Sequence, residues 1–247
     1  MISGVFAPVC YVLAAGGLLQ GLLIILTMAV PSVTETGVYP VFNFISWTPF
    51  TFLPVLLAIS ASKHFHCNPY IAAACCLALV NPVWTEMAGK IAEGENIRFL
   101  FVNLTEITYT SSVLPPLILV ALLSKLEKFL NKHLPELIRS LFTPLICLAA
   151  LVPLTIVVIG PLIQWLSNGV AAGYNLLYQM APPIAGAVVG GVWQVIVIFG
   201  IHWGMVPIVI ANFAQNGQDT LQIFIQIAVI SQMAAAFGVF LKQKTSS

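Results

Sequence analysis

The first charged side chain in this sequence is Glu35, the second is Lys63, and almost everything between and before them is apolar. A soluble chain of 247 residues needs a charged surface to stay in solution, and soluble domains carry roughly 25% charged residues. Here the figure is 7%, against 60% hydrophobic residues and a mean hydropathy of +1.01. Lipid, unlike water, asks for apolar residues on the outside of a fold as well as the inside. The chain therefore reads as a polytopic membrane protein. Its net charge of +1 gives no footing for nucleic acid.

Roughly 20 apolar residues span a bilayer as a helix. On that ruler the first span runs from about Gly4 to Val30, ending at Pro31-Ser32 and a turn that holds Glu35 and Gly37. No basic n-region precedes it and no small-residue cleavage site follows, so it is expected to remain as a first membrane helix. A second span fills Val41 to Ser60, and Asn68-Pro69 opens a third from Tyr70 to Trp84. Thr85 to Thr110 is the longest polar stretch, and Arg98-Phe-Leu-Phe-Val-Asn103 within it has the composition of a short β-hairpin. A fourth span follows at about Ser111 to Ser124, shortened by Pro115-Pro116.

Lys125, Lys128, Lys132 and Arg139 then arrive in quick succession, which places this region in the cytoplasm and the acidic stretch Glu86 to Glu106 outside. Leu126, Phe129, Leu130, Leu134, Leu137, Ile138 and Leu141 recur there at three- and four-residue spacing, the pattern of an amphipathic surface helix over Lys125 to Phe142. Pro135 is expected to start a second short helix within it. Leu145 to Trp165, Ile184 to Phe199 and Leu221 to Leu241 complete the spans, with Lys242 and Lys244 inside. Counting crossings leaves a conflict: Gly200 comes out cytoplasmic, yet Leu221 must start outside. Trp203 to Ala211 then has to return the chain across part of the membrane although it is too short for an ordinary span. The expected fold is all-α and polytopic, with about six to seven transmembrane helices, a cytoplasmic amphipathic helix and a re-entrant segment.

That segment contains His202, in an apolar run broken by Gly200, Gly204 and Pro207. Backbone at membrane depth leaves the helix only where protein or a water-filled cavity satisfies its amides, and transporters place substrates at such breaks. Ionisable groups inside a membrane are expensive and mark function; the alternatives are a buried histidine paired with a carbonyl, or one sitting at the headgroup level. Around it in sequence lie Gln194, about two turns back, with Trp193, Trp203 and Asn212. Amides and imidazole bond hydroxyls and indole faces cover a pyranose, so these types fit a sugar; interfacial packing of the tryptophans is the competing explanation. The candidate substrate-binding set is His202, Gln194, Trp203 and Asn212.

The five cysteines (Cys10, Cys67, Cys75, Cys76, Cys147) lack paired metal or redox spacing and read as small core residues. There is no phosphate-binding loop, nucleophile elbow, zinc helix or dinucleotide fingerprint. No catalytic residue, metal ligand or cofactor site is expected. Gly17-x-x-x-Gly21, Gly186-x-x-x-Gly190 and Gly200-x-x-x-Gly204 read as helix-packing faces.

An ordered set of segments carries a resemblance. Ile2-Ser-Gly-Val-Phe-Ala-Pro8 with Leu13-Ala-Ala-Gly-Gly17, Asn68-Pro-Tyr-Ile-Ala72, Tyr109-Thr-Ser-Ser-Val-Leu-Pro115, His133-Leu-Pro-Glu-Leu-Ile-Arg139, Phe142-Thr-Pro144, Gly160-Pro161 and Gly191-x-Trp-Gln-Val195 through Phe199-Gly-Ile-His-Trp-Gly-x-Val-Pro207 cover nearly the whole chain. Together they resemble the IIC membrane domain of bacterial phosphotransferase-system permeases (PTS EIIC), in the β-glucoside/sucrose/trehalose branch of the glucose superfamily. The resemblance implies a homodimeric sugar transporter of the bacterial inner membrane. In that family a EIIB domain carries a phosphocysteine that phosphorylates the sugar while the IIC domain holds it, and His202 matches the sugar-contacting histidine. It also implies three parts: residues 1–126 with four helices, a connector at 127–143, and the start of the substrate-binding half at 144–247.

Two departures bear on this. The family's Gly-Ile-Thr-Glu-Pro motif, whose glutamate binds sugar hydroxyls, is expected after the last helix but does not occur, so the sequence resembles a IIC domain cut short before it. No Cys-x-Thr-Arg phosphocysteine motif occurs either, so phosphoryl chemistry is expected from another chain. Two further readings remain beside the permease: an ion-coupled secondary transporter in which His202 shuttles a proton, and an inert helical fragment that packs with partner subunits.

Overall fold

The first helix, α1 (Ile2–Ala29), is 28 residues long, about 42 Å at 1.5 Å per residue, and contains Pro8, which has no N–H to donate to the carbonyl four residues before it. It is followed by a short 3-10 turn, Pro31–Glu35, and by α2 (Val38–Thr51). The structure, a computed structural model, describes residues 2–198, 209 and 219–245, with side chains for all of these but 2–4, 171 and 243–245. α1 and α2 approach at Gly16, where an added Cβ would lie 2.8 Å from the Ser46 carbonyl. One turn on, the buried Ser46 hydroxyl donates to the Gln20 side-chain carbonyl at 2.5 Å. A Cβ added at Gly17 or Gly21 would meet nothing within 4 Å among the described residues, so the glycine pair singled out in the sequence does not mark the α1–α2 contact.

The second span is two helices. α2 ends at Thr51 and α3 (Leu53–Phe65) begins behind Phe52, because Pro54 in its first turn offers no N–H to continue the ladder. The carbonyls freed at this break are taken by a residue sixty positions away. Ser111 donates its backbone N–H to the Thr51 carbonyl at 3.4 Å and its hydroxyl to the Phe50 carbonyl at 2.9 Å, and holds φ +60 to do so.

The third apolar segment is also two helices, α4 (Pro69–Leu79) and α5 (Pro82–Ala92), each opened by Asn-Pro. Asn68 accepts from the amides of Tyr70 and Ile71 and Asn81 from Val83, while the proline fills a first-turn position whose N–H has no partner. The expected hairpin is present as β1 (Arg98–Phe99) and β2 (Val102–Asn103), antiparallel with Arg98 opposite Asn103. Past it, the Trp84 indole donates to the Ile107 carbonyl at 3.0 Å.

The basic stretch differs from its reading as one amphipathic surface helix over Lys125 to Phe142. Its first half is the end of α6 (Leu114–His133), continuous with the fourth span, and its second half begins α7 (Glu136–Leu154), which runs on into the fifth. The reason is Pro135: its ring forces Leu134 into extended backbone (φ −84, ψ 136), so α6 stops at His133, and Pro135 itself caps α7. The helix it opens is 19 residues long rather than short. A π-helical segment, Thr155–Ile159, follows, then α8 (Gly160–Met180), α9 (Pro182–Ile198) and α10 (Thr220–Thr245).

Two compact units result, Met1–Pro161 and Leu162–Ser247. The first has a core around Leu57, Leu79, Leu119, Leu123, Cys75, Cys76, Cys147 and Tyr109; the second packs Tyr174, Ala185, Val189, Trp193, Leu221 and Ala228. Among the described residues five helical stretches are long and apolar enough to cross a membrane: Val5–Ala29, Val38–Phe65, Pro69–Ala92, Glu136–Met180 and Thr220–Lys242, with Pro182–Ile198 a shorter apolar helix. Three cysteines are core residues as expected, but Cys10 is exposed and Cys67 half-buried.

Candidate functional site

Of the four residues expected to hold a sugar, His202, Trp203 and Asn212 lie outside the described residues, as does the expected re-entrant segment. Gln194 is described. It is half-buried on α9, and its side-chain N–H donates to the Ala228 carbonyl of α10 at 3.4 Å. That bond leaves the amide oxygen for another partner and ties the two helices. Trp193, its neighbour, is only 5% exposed and packs in the core of the second unit with Ala185, Val189, Leu221 and Ala228. Its indole is therefore covered by these neighbours.

α9 and α10 touch closely because position 186 is glycine: a Cβ there would be 2.6 Å from the Phe224 ring. Gly190, the other half of that pair, has nothing within 4 Å. From the Gly186–Phe224 contact to the Gln194–Ala228 bond both residue numbers rise, so the helices run in the same sense.

At the start of α10 the Asp219 carboxylate, 4% exposed, accepts from the Gln222 amide at 2.5 Å, and the Thr220 and Tyr174 hydroxyls lie 3.5 Å apart. This polar cluster escaped the sequence reading. The signal was available: Asp219-Thr-Leu-Gln222 ahead of an apolar run is the capping-box spacing.

A second polar region lies in the first unit. Asn68, having capped α4 with its side chain, donates its backbone N–H to Glu127 at 2.8 Å, and Ser124 donates to the Phe65 carbonyl at 2.7 Å, so α6 clasps the α3–α4 turn. The buried Thr143 donates to Asn131 at 3.3 Å, and Arg139 donates through Nε and Nη2 to the Leu134 carbonyl, closing the open end of α6. Together Asn68, Glu127, Asn131, Glu136, Arg139 and Thr143 line a cleft of about 430 Å³. Beside it the Cys67 thiol is pushed up to about 11, by burial first and by the Glu127 carboxylate second.

The segments that carried the family resemblance thus meet in pairs. Asn68-Pro-Tyr-Ile-Ala72 meets His133 to Pro144 at this cleft, and Tyr109 reaches the turn of helix before Gly160-Pro161, where its hydroxyl donates to the Thr155 carbonyl. Three groups of His, Cys, Asp or Glu close enough to hold a metal ion do not occur among the described residues.

Comparison with known proteins gives the family of this sequence. The family model described as "Phosphotransferase system, EIIC" matches residues 3–246. The chain is 40% identical over 245 residues to a beta-glucoside-specific EIIBCA component of Dickeya chrysanthemi, covering 98% of this chain and 39% of the relative. It is 31% identical to a sucrose-specific EIIBC component of Vibrio alginolyticus (98% and 54%) and 27% identical to the arbutin-, cellobiose- and salicin-specific EIIBC component of Escherichia coli (88% and 45%). The chain thus spans 39% and 40% of the length of the beta-glucoside-specific relatives from Dickeya chrysanthemi and Halalkalibacterium halodurans. No solved structure matches it.

Proposed function

This chain belongs to the phosphotransferase-system EIIC family, and from that premise we propose that it is the membrane-embedded, sugar-translocating part of a phosphoenolpyruvate-dependent permease for a β-glucoside or related glycoside. The observation that carries the reading is the match of the family over nearly every residue, in a chain whose helices can cross a membrane several times. The names of its relatives support the substrate class. Because the sequence holds no phosphocysteine motif, the phosphoryl donor is an EIIB domain or subunit, and the chain contributes the sugar site to the reaction rather than a phosphorylated residue. We assign that site to His202, Gln194, Trp203 and Asn212, within a substrate-binding half that starts near residue 144, and expect the chain to work as a homodimer in the bacterial inner membrane.

In such a site the protein needs hydrogen-bond partners for hydroxyls and little else, since the attacking hydroxyl belongs to the sugar and the phosphoryl group to the donor. Gln194 fits this, having an amide oxygen outside its tie to Ala228. The experiment is uptake of salicin by cells carrying the chain with its EIIB partner. Accumulation of phosphorylated salicin that needs the phosphoryl donor supports the proposal. Uptake that survives loss of the donor but collapses with an uncoupler supports proton-coupled transport through His202 instead. Absence of sugar binding in either condition reduces the chain to a packing subunit.

A further inference from the structure

The cleft between α4, α6 and α7 has features that neither the packing of the first unit nor sugar binding uses. Its charges are mixed: Glu127 and Glu136 supply two carboxylates and Arg139 one guanidinium. Glu127 spends one oxygen on the Asn68 amide and Arg139 two N–H groups on the Leu134 carbonyl, so both keep capacity toward the cleft. Glu136 and Ser140 line it without a hydrogen bond from their side chains to any described residue. At the same place α7 begins. Pro135 provides no side-chain cap, and the first amides bonded are those of Ile138 and Arg139, leaving the Glu136 and Leu137 N–H groups without an acceptor among the described residues.

The neighbouring face of the same turns is apolar and uncovered. Leu137 is 93% exposed, Leu141 70% and Leu145 54%. These residues, at i, i+4 and i+8, form one stripe of α7 immediately beside the cleft-lining stripe of Glu136, Ser140 and Pro144. The stripe starts at the charged end of the helix and runs into the span Glu136–Met180. A partner that fits both faces has a small zwitterionic head and hydrocarbon tails.

We propose that this cleft binds an aminophospholipid, with its phosphate on Arg139 and the two free amides of α7, its primary ammonium on Glu127 and Glu136, and its acyl chains along Leu137, Leu141 and Leu145. Free amides at a helix start together with a guanidinium favour a phosphate. Two carboxylates beside them would repel a purely anionic headgroup, and they match an ammonium that can donate hydrogen bonds. The lysines flanking the cleft on α6, Lys128 and Lys132, are exposed and point to general attraction for anionic lipid rather than to selection. Selection therefore rests on the two glutamates.

The experiment is native mass spectrometry of the whole chain after reconstitution in nanodiscs containing equal parts of dioleoyl phosphatidylethanolamine, phosphatidylcholine and phosphatidylglycerol. Phosphatidylcholine carries the same charges but no N–H on its nitrogen, so the retained lipid should be phosphatidylethanolamine over phosphatidylcholine by about tenfold, the worth of a charge-assisted hydrogen bond. Glu127→Gln and Glu136→Gln should each bring that ratio towards one, and Arg139→Gln should reduce retention of every phospholipid. The Glu136 side chain makes no hydrogen bond to a described residue, so its variant decides the matter if Glu127→Gln misfolds. Equal retention of the two zwitterionic lipids, a preference for phosphatidylglycerol, or an unchanged ratio in Glu136→Gln would each overturn the proposal.

Discussion

The Tyr109 hydroxyl donates to the Thr155 carbonyl at 3.3 Å, at the point where the helix after α7 widens into its π-helical segment. Thr155 also accepts there from the Gly160 amide, the i+5 bond that defines the widening, and its hydroxyl donates back to Leu151 at 2.7 Å. Tyr109 is 1% exposed, and the space for its ring exists because position 160 has no side chain: a Cβ there would lie 2.1 Å from the tyrosine oxygen and 2.9 Å from Ile107. An inserted side chain is a recognised cause of such widening.

Gly160→Ala should therefore destabilise the first unit by about 1–3 kcal/mol through overpacking. Tyr109→Phe in the same chain should recover part of that loss, because it removes the closest atom but not Ile107. Thermal unfolding in detergent for the two single variants and the double variant measures the coupling; additive effects would show that the two positions do not meet.

Orientation follows from charge bias alone. Single cysteines introduced as Glu95→Cys and Lys132→Cys in a cysteine-free background should differ in intact cells. An impermeant maleimide should label the first and spare the second. The opposite pattern would invert the whole topology.

Gly16 and Gly17 are adjacent but should behave differently. Gly16→Leu meets the Ser46 carbonyl and the Phe50 and Pro49 rings, and should lower the melting temperature by separating α1 from α2. Gly17→Leu and Gly21→Leu place their Cβ within 4 Å of nothing among the described residues and should leave stability unchanged. If their face is where two copies associate, the same variants should weaken chemical crosslinking, because backbone approach is blocked.

Cys67 should react slowly with maleimides near neutral pH, since its thiol is pushed up to about 11 and the thiolate is the nucleophile. Labelling should accelerate as pH rises towards that value. Glu127→Gln removes a carboxylate that disfavours the thiolate, so it should label faster at the same pH. Identical pH profiles for the two proteins would show that the carboxylate does not act on the thiol.

Within the proposed function, and in a chain that also carries the family's Gly-Ile-Thr-Glu-Pro segment, His202→Ala should weaken glycoside binding by about 1–3 kcal/mol, the usual loss when a buried partner is left unpaired, with expression unchanged. Gln194→Ala should cost less binding and some stability, since its amide also ties α9 to the Ala228 carbonyl. Isothermal titration with salicin and a melting curve separate these contributions. Equal affinity for wild type and His202→Ala would return the histidine to a packing role.

Much of the architecture was legible along the chain because its causes are local. Long apolar runs imply helices in lipid, Asn-Pro implies a capped helix start, and the hairpin at Arg98 to Asn103 shows in its composition. Even Pro135 marked its own break. The boundaries drawn at Lys125 and Phe142 misplaced the helices for one reason: charge records where the lipid ends, whereas a helix ends where its hydrogen-bond ladder is interrupted. α6 and α7 both run through the polar boundary, so their basic residues sit on the ends of longer helices.

The candidate site divides in the same way. His202 and Gln194 stand out in sequence because ionisable and amide groups are costly among apolar neighbours, and that signal survives without any partner being known. The capping role of Asp219 was spelled out locally and overlooked. By contrast, nothing near Phe52 shows that Ser111 supplies the hydrogen bonds its break requires, nothing near Gly160 shows that Tyr109 fills the space above it, and nothing near Glu127 shows Asn68 and Arg139 around one cleft. The sequence by itself determined that the chain lives in a membrane as helices, since the cost of burying charge and bare amides in hydrocarbon is paid residue by residue. Only the tertiary structure decided where those helices break and which distant residue repairs each break, because an unsatisfied carbonyl in lipid can be matched by whichever donor the packing brings within about 3 Å.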